Sequence, residues 1–234
     1  MDRKFIELLK PQNIFMDKKR LGPLEDGGYV MPEFVFNNCS ALFTYGVGNE
    51  IRFEEEFTRV YNKPSYLFDH TIGREEWKRD GLCFFPEGLG TLPNCKEFID
   101  HYKFSQITGY VLLKIDIESG EYQYFKNTDM SKFESTVIGM SLEVHWIDNL
   151  GYRESLIDIL SKIEEYFVLC HIHGNNWGEL WNYEELIIPK VLELSFINKK
   201  FVSGYEVDQQ DYPIIGIDFP NRPGFEDYKL TFLK

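Results

Sequence analysis

Apolar positions along the chain follow two alternating periods. Ser40–Val47 (SALFTYGV) reads as a strand, and Phe53–Val60 places Phe53, Phe57 and Val60 at helical spacing. Tyr66–Phe68 and Leu82–Phe85 are short strand runs, and a helix is predicted over Cys95–Tyr102. Gly109–Ile117 (GYVLLKIDI) and Val137–Val144 (VIGMSLEV) are almost continuously apolar, as strands covered on both faces are. In Ser155–Tyr166, Leu156, Ile159, Leu160 and Ile163 share one helical face. Three further strands are predicted, over Phe167–His171, Val191–Ile197 and Ile214–Phe219. Ahead of all these, Met1–Gln12 reads as an amphipathic helix and Arg20–Pro32 as a glycine- and proline-rich loop.

Strands that alternate with helices imply parallel β-α units. The late strands have little helix between them, which implies an antiparallel end to the sheet. The expected fold is therefore α/β, a doubly wound Rossmann-like sheet with ligands at its carboxyl edge. No repeat or linker divides the chain, so residues 1–234 are expected to form a single domain, with 1–38 as an N-terminal helix and loop preface.

Composition narrows the function. An aromatic content of 16% and an apolar content of 43% exclude a disordered chain. A net charge of −13 repels a phosphate backbone, so no nucleic-acid partner is expected. No stretch reaches the roughly 18 apolar residues of a membrane span, and none has the form of a signal peptide. The four cysteines show neither C-x-x-C spacing nor a dense framework. Reduced thiols and a cytoplasmic location follow as the expectation; the oligomeric state is left open.

Chemistry concentrates at the predicted strand ends. Gly46 and Gly48, in Tyr45–Glu50 (YGVGNE), sit between a strand and a helix, where a glycine turn lets a ligand approach the backbone. Asp69 closes the next strand at about the 20-residue interval at which an acid meets a ribose diol. A plain tight turn with a surface acid is the other reading. The third glycine of a dinucleotide fingerprint would fall on Ile51, so an adenosyl cofactor without a pyrophosphate fits better.

Asp116 and Glu118 end the strand in Leu112–Glu121 (LLKIDIESGE), on the face opposite Ile115 and Ile117. Asp116 could equally cap the helix that follows. Glu143 and His145 share a face at the end of SLEVHW, and His171 and His173 do so in FVLCHIHGNNW if that strand continues. Structural, hydrogen-bonded histidines are the alternative.

YGVGNE, YLFDHT, FFPEGLG, LLKIDIESGE, SLEVHW and HIHGNN, with DGGYV at Asp26–Val30, resemble the FkbM-type methyltransferases, which are S-adenosylmethionine-dependent enzymes of the class I fold. The likeness runs from about Arg20 to about Ile197. It implies a seven-stranded, mostly parallel sheet with an antiparallel strand, and methyl transfer to oxygen, often a sugar hydroxyl of a glycan or glycoside. It also implies that Gly46, Gly48, Asp69, Gly88, Leu89 and Asp116 hold S-adenosylmethionine, with Asp26 and Gly27 closing over it. Glu143, His145, His173, Asn175 and Asn176 would face the acceptor. Ser119 departs from the family, which more often has glycine there, and Asn49 stands where an acid is common.

A sugar hydroxyl is a weak nucleophile, so its proton needs a base or a metal. Asp116, His145 and His173 are the catalytic candidates, a histidine being suited to proton removal near neutrality. Asp116, Glu143, His145 and His173 could instead ligate Mg²⁺ or Mn²⁺. Two other functions stay open: a non-catalytic carbohydrate-binding relative of the fold, and a metal-dependent hydrolase.

Overall fold

The computed structural model describes residues 3–73, 77 and 80–234, so the first two residues of the predicted N-terminal helix lie outside it. The first half comprises α1 (Arg3–Leu8), α2 (Glu33–Asn38), β1 (Leu42–Tyr45), α3 (Arg52–Tyr61), β2 (Ser65–Phe68) and β3 (Leu82–Phe85). Next come α4 (Phe98–Ser105), β4 (Val111–Ile115), α5 (Gly120–Asn127), α6 (Met130–Glu134) and β5 (Val137–Val144). Last are α7 (Leu150–Tyr166), β6 (Phe167–Gly174) and β7 (Leu192–Asn198). These strands form a seven-stranded sheet in the order β6-β7-β5-β4-β1-β2-β3. β7 runs antiparallel to both of its neighbours, and the remaining pairs are parallel. The expected Rossmann-like α/β sheet with one antiparallel strand is thus present.

Period-two alternation sends successive residues to opposite faces. Phe43 and Leu113 pack with Phe98, Phe125 and Leu156 from α4, α5 and α7. Leu42 and Leu112 pack on the other face with Phe36, Phe53 and Phe57 from α2 and α3. That second face also carries two polar rows. Thr44, Lys114, Ser141, Ser195 and His171 are aligned across β1, β4, β5, β7 and β6. One step nearer the carboxyl edge, Glu143, Glu193 and His173 are aligned in the same way. Buried polar groups need partners, and for Glu143, Ser195 and Glu193 the N-terminal hairpin and the C-terminal tail provide them. Tyr29 donates to Glu143 at 3.0 Å, the Ser195 hydroxyl to the Val30 carbonyl at 2.6 Å, and Asn221 to Glu193 at 2.6 Å.

Three segments depart from the sequence reading. Within Arg20–Pro32, Tyr29–Pro32 pairs antiparallel with Lys18–Leu21, because the glycines and the first proline fall in the turn and leave an extended segment on either side. Cys95–Lys96 pairs with Gly88–Leu89, so the predicted helix begins only at Phe98. Ile214–Phe219 is a turn and not a strand. The Ile214 amide donates to Asp218 Oδ2 at 2.7 Å, Gly216 has φ +86°, and Ile215 is 99% exposed.

Candidate active site

A cleft of about 810 Å³ opens at the carboxyl ends of β1, β2 and β4. It lies where the chain order reverses between β4 and β1, the position at which such sheets bind ligands. Gly46, Gly48, Asp69, Gly88, Leu89 and Asp116 all line it, as do Asp26 and Gly27.

Gly46 is required by geometry. Its φ is +77°, and a Cβ there would meet the Asp116 carbonyl oxygen at 1.5 Å. The turn after β1 therefore lies backbone to backbone on the turn after β4. Gly48, at φ +58°, has open space on its Cβ side. Asp69 fastens this loop. Its Oδ2 accepts from the Val47 and Gly48 amides at 3.0 and 3.1 Å, and its Oδ1 from the Thr71 amide and hydroxyl at 2.9 and 2.6 Å. Burial pushes its pKa up, yet the bonds from Thr71, Gly48 and Val47 outweigh burial and hold it below the usual carboxylate range. Asp69 is an ionised clamp.

Asp116 follows β4 and leaves the helix cap to Ser119, at φ +77°; Glu118 before it also has positive φ, at +52°. Two consecutive non-glycine residues in this region store backbone strain beside the cleft. His145 lies behind Asp116 among four carboxylates. Its Nε2 is 3.5 Å from Glu143, 3.6 Å from Glu118 and 3.8 Å from Asp116, and its Nδ1 is 3.4 Å from Glu121. Burial opposes the imidazolium, but hydrogen bonds to Glu121 and Glu143 and the nearby negative charges push its pKa up to about 11. Asp116 is driven well above its usual range, first by burial and then by the Glu143 charge. Its Oδ1 has no hydrogen-bond partner among the described residues. Asp116, Glu118 and His145 each offer a donor atom within 4.8 Å of the others, the one such group among the described residues.

The structure places several of the expected site residues away from the cleft. Glu143 and His145 are buried behind Asp116 and do not line the cleft. The carboxylates around His145 push its pKa up to about 11 and so favour the imidazolium, which speaks against the base role expected of it. His173 is not brought to the Asp116 group, because β7 inserts between β5 and β6. Its Nδ1 bonds Glu193 at 3.0 Å and its Nε2 bonds Asp227 at 3.0 Å, so both nitrogens are engaged. Asn175 holds Glu143 with its amide at 3.0 Å. Asn176 instead pins the tail, donating to the Glu226 carbonyl and accepting from the Arg222 amide at 2.7 Å. Sequence reasoning missed Lys114, Glu121 and Tyr29. The first two stand inside LLKIDIESGE, where a lysine in an apolar strand was itself the signal.

Among the described residues no helix is long and apolar enough to cross a membrane. No family model matches the chain. No curated protein matches it either. Among solved structures it is similar to an rRNA methylase from Streptococcus thermophilus, at 11% identity and a TM-score of 0.43, over 70% of this chain and 90% of that one. It is also similar to a precorrin-6y C5,15-methyltransferase from Geobacter metallireducens GS-15, at 9% identity and a TM-score of 0.37, over 69% of this chain and 82% of that one.

Proposed function

We propose that this chain transfers the methyl group of S-adenosylmethionine to a hydroxyl of a neutral glycan or glycoside. The observation that carries the reading is the contact of the Gly46 turn with the Asp116 backbone, at the reversal point of a sheet ordered β6-β7-β5-β4-β1-β2-β3. At about 810 Å³ the cleft beside that contact lies within the range of small-molecule and cofactor pockets, about 300–1,000 Å³. The loop carries Ile51 where a pyrophosphate-binding turn needs its third glycine.

Gly46 and Gly48 would bring the backbone against the cofactor, Asp69 would keep their turn in shape, and Gly88 and Leu89 would wall the base. The cofactor supplies an already activated methyl group, so most of the rate enhancement falls to positioning the acceptor oxygen, worth up to roughly 7–11 kcal/mol. Asp116 is the group to take the hydroxyl proton. A carboxylate whose pKa is raised by burial is better matched to that task than an ordinary one. The His145 imidazolium behind it would steady the negative charge and orient Asp116. Glu118, whose side chain is 79% exposed, would accept hydrogen bonds from neighbouring sugar hydroxyls at an acidic mouth that disfavours phosphate.

A divalent ion is the second reading, favoured by the convergence of Asp116, Glu118 and His145. Mg²⁺ or Mn²⁺ held there would acidify the hydroxyl, and its binding would have to displace the His145 proton. Transfer of labelled methyl groups from S-adenosylmethionine to neutral glycans tests the proposal, with Asp116→Asn expected to lower turnover by about 10²–10⁴. Preferred methylation of nucleic acid would overturn the acceptor class, and bond cleavage without transfer would favour a hydrolase.

A further inference from the structure

Lys114 is a lysine in the middle of β4, a strand whose five residues are all buried. An ammonium in such a place is costly unless it is paired. Its flanking strand neighbours, Thr44 and Ser141, are small and leave room for the long side chain to run toward the cleft. Protein partners engage it only loosely. Nζ is 3.9 Å from Glu54 Oε1, which already accepts from the Thr44 hydroxyl at 2.8 Å. It also lies 4.9 Å from the centre of the Tyr29 ring. Its three donors make no hydrogen bond to any described residue.

The cleft around it is acidic. Asp26, Glu50, Asp69, Glu97, Asp116 and Glu118 line it, and Lys114 is the one lysine or arginine among the described lining residues. An anionic group that enters has a single cationic seat. The adenosine and sulfonium parts of S-adenosylmethionine carry no negative charge, and the carboxylate of its amino-acid end carries one.

We propose that Lys114 binds the carboxylate at the amino-acid end of the adenosyl cofactor, so that the cleft reads a zwitterion and not merely a nucleoside. The inference rests on the methyl-transfer reading and extends it to a residue outside the glycine turn. Asp26 and Asp116 stand close enough to Lys114 to feel its charge, and they are the acids available to the neighbouring ammonium. The arrangement favours intact S-adenosylmethionine over adenosine-type molecules that share its nucleoside half.

The test is calorimetric binding of three ligands to the wild-type protein and to Lys114→Met: S-adenosylhomocysteine, its decarboxylated analogue, and 5′-methylthioadenosine. The wild type should bind S-adenosylhomocysteine at least tenfold more tightly than the decarboxylated analogue. In Lys114→Met that ratio should fall to within twofold of unity, with 5′-methylthioadenosine affinity unchanged. A variant that keeps the tenfold ratio, or loses all three ligands equally, overturns the assignment. Should Lys114→Met not fold, Lys114→Gln takes its place, and a wild-type ratio near unity overturns the assignment without any variant. If the wild type binds none of the three, the methyl-transfer reading itself fails; binding of all three with no carboxylate preference removes only the role of Lys114.

Discussion

The Asp116 carbonyl oxygen lies 1.5 Å from the point where a Cβ on Gly46 would sit. Two turns on neighbouring strands thus touch through their backbones, and the acid that would meet the acceptor is held in place by the loop that would meet the cofactor. Gly46→Ala must push the two turns apart and hold alanine at φ +77°. A loss of about 2–4 kcal/mol is expected, a left-handed residue alone costing about 1–2 kcal/mol and displacement of a packed backbone adding overpacking strain. Gly48→Ala has the same kind of φ and open space, so it should lose only the smaller, conformational part. Urea unfolding of both variants checks the contrast; equal losses would remove the backbone contact as a determinant.

Asp69 is expected to act on stability before it acts on any ligand. It receives four hydrogen bonds from Val47, Gly48 and Thr71, and hydrogen bonds to a charged group are worth about 1.5–3 kcal/mol. Asp69→Ala should destabilise the protein without ligand by at least about that much, and should weaken S-adenosylhomocysteine as well. Its folded pKa is lowered, so its contribution is present above the unfolded value near 3.8 and lost as the pH falls through the folded one. An unchanged urea midpoint for the ligand-free variant would contradict the clamp.

The strands that build the site were legible because β4 and β5 are long apolar runs, and E-x-H spacing places Glu143 and His145 on one face. The ribbon Lys18–Leu21 and Tyr29–Pro32 was not, since Gly22, Pro23, Gly27 and Gly28 mark the turn and mask the strands beside it. His173 was placed with Asp116 for a different reason. Period-two reading assigns a face, but strand order is a tertiary fact, and β7 brings Glu193 between Glu143 and His173. The partners that engage His173, Glu193 and Asp227, lie 20 and 54 residues away, one of them in the C-terminal tail. Asn176 likewise meets its partners, Glu226 and Arg222, in that tail.

His173 gives the stability of the protein a pH signature. Burial lowers its pKa, but Asp227 and Glu193 together raise it to about 10 in the folded state, against about 6.5 unfolded. A raised pKa stabilises fully below the unfolded value, and that contribution fades as the pH rises through the folded one. Stability should therefore decline between pH 7 and pH 10 in the wild type and decline less in His173→Gln. The variant should lose about 3–5 kcal/mol near pH 7, because it leaves two carboxylates without their cation. Urea titrations at both pH values check this; parallel declines would contradict it.

His145 separates the two routes for the acceptor proton. If Asp116 takes the proton directly, turnover in exhaustively chelated protein should equal that of untreated protein, and His145→Gln should lower it while S-adenosylhomocysteine affinity stays nearly unchanged. If an ion sits on Asp116, Glu118 and His145, chelation should abolish turnover and Mg²⁺ or Mn²⁺ should restore it. Parallel metal analysis of the purified protein assigns the outcome.

Calorimetric titration of the intact protein with S-adenosylhomocysteine tests the central claim most directly, because it asks of the cleft only that it hold the adenosyl cofactor. The expected result is saturable 1:1 binding, with the fold stabilised by about 2.7 kcal/mol at 100 times the dissociation constant and with binding weakened in Asp69→Ala. No heat and no thermal shift with either S-adenosylhomocysteine or S-adenosylmethionine would contradict it.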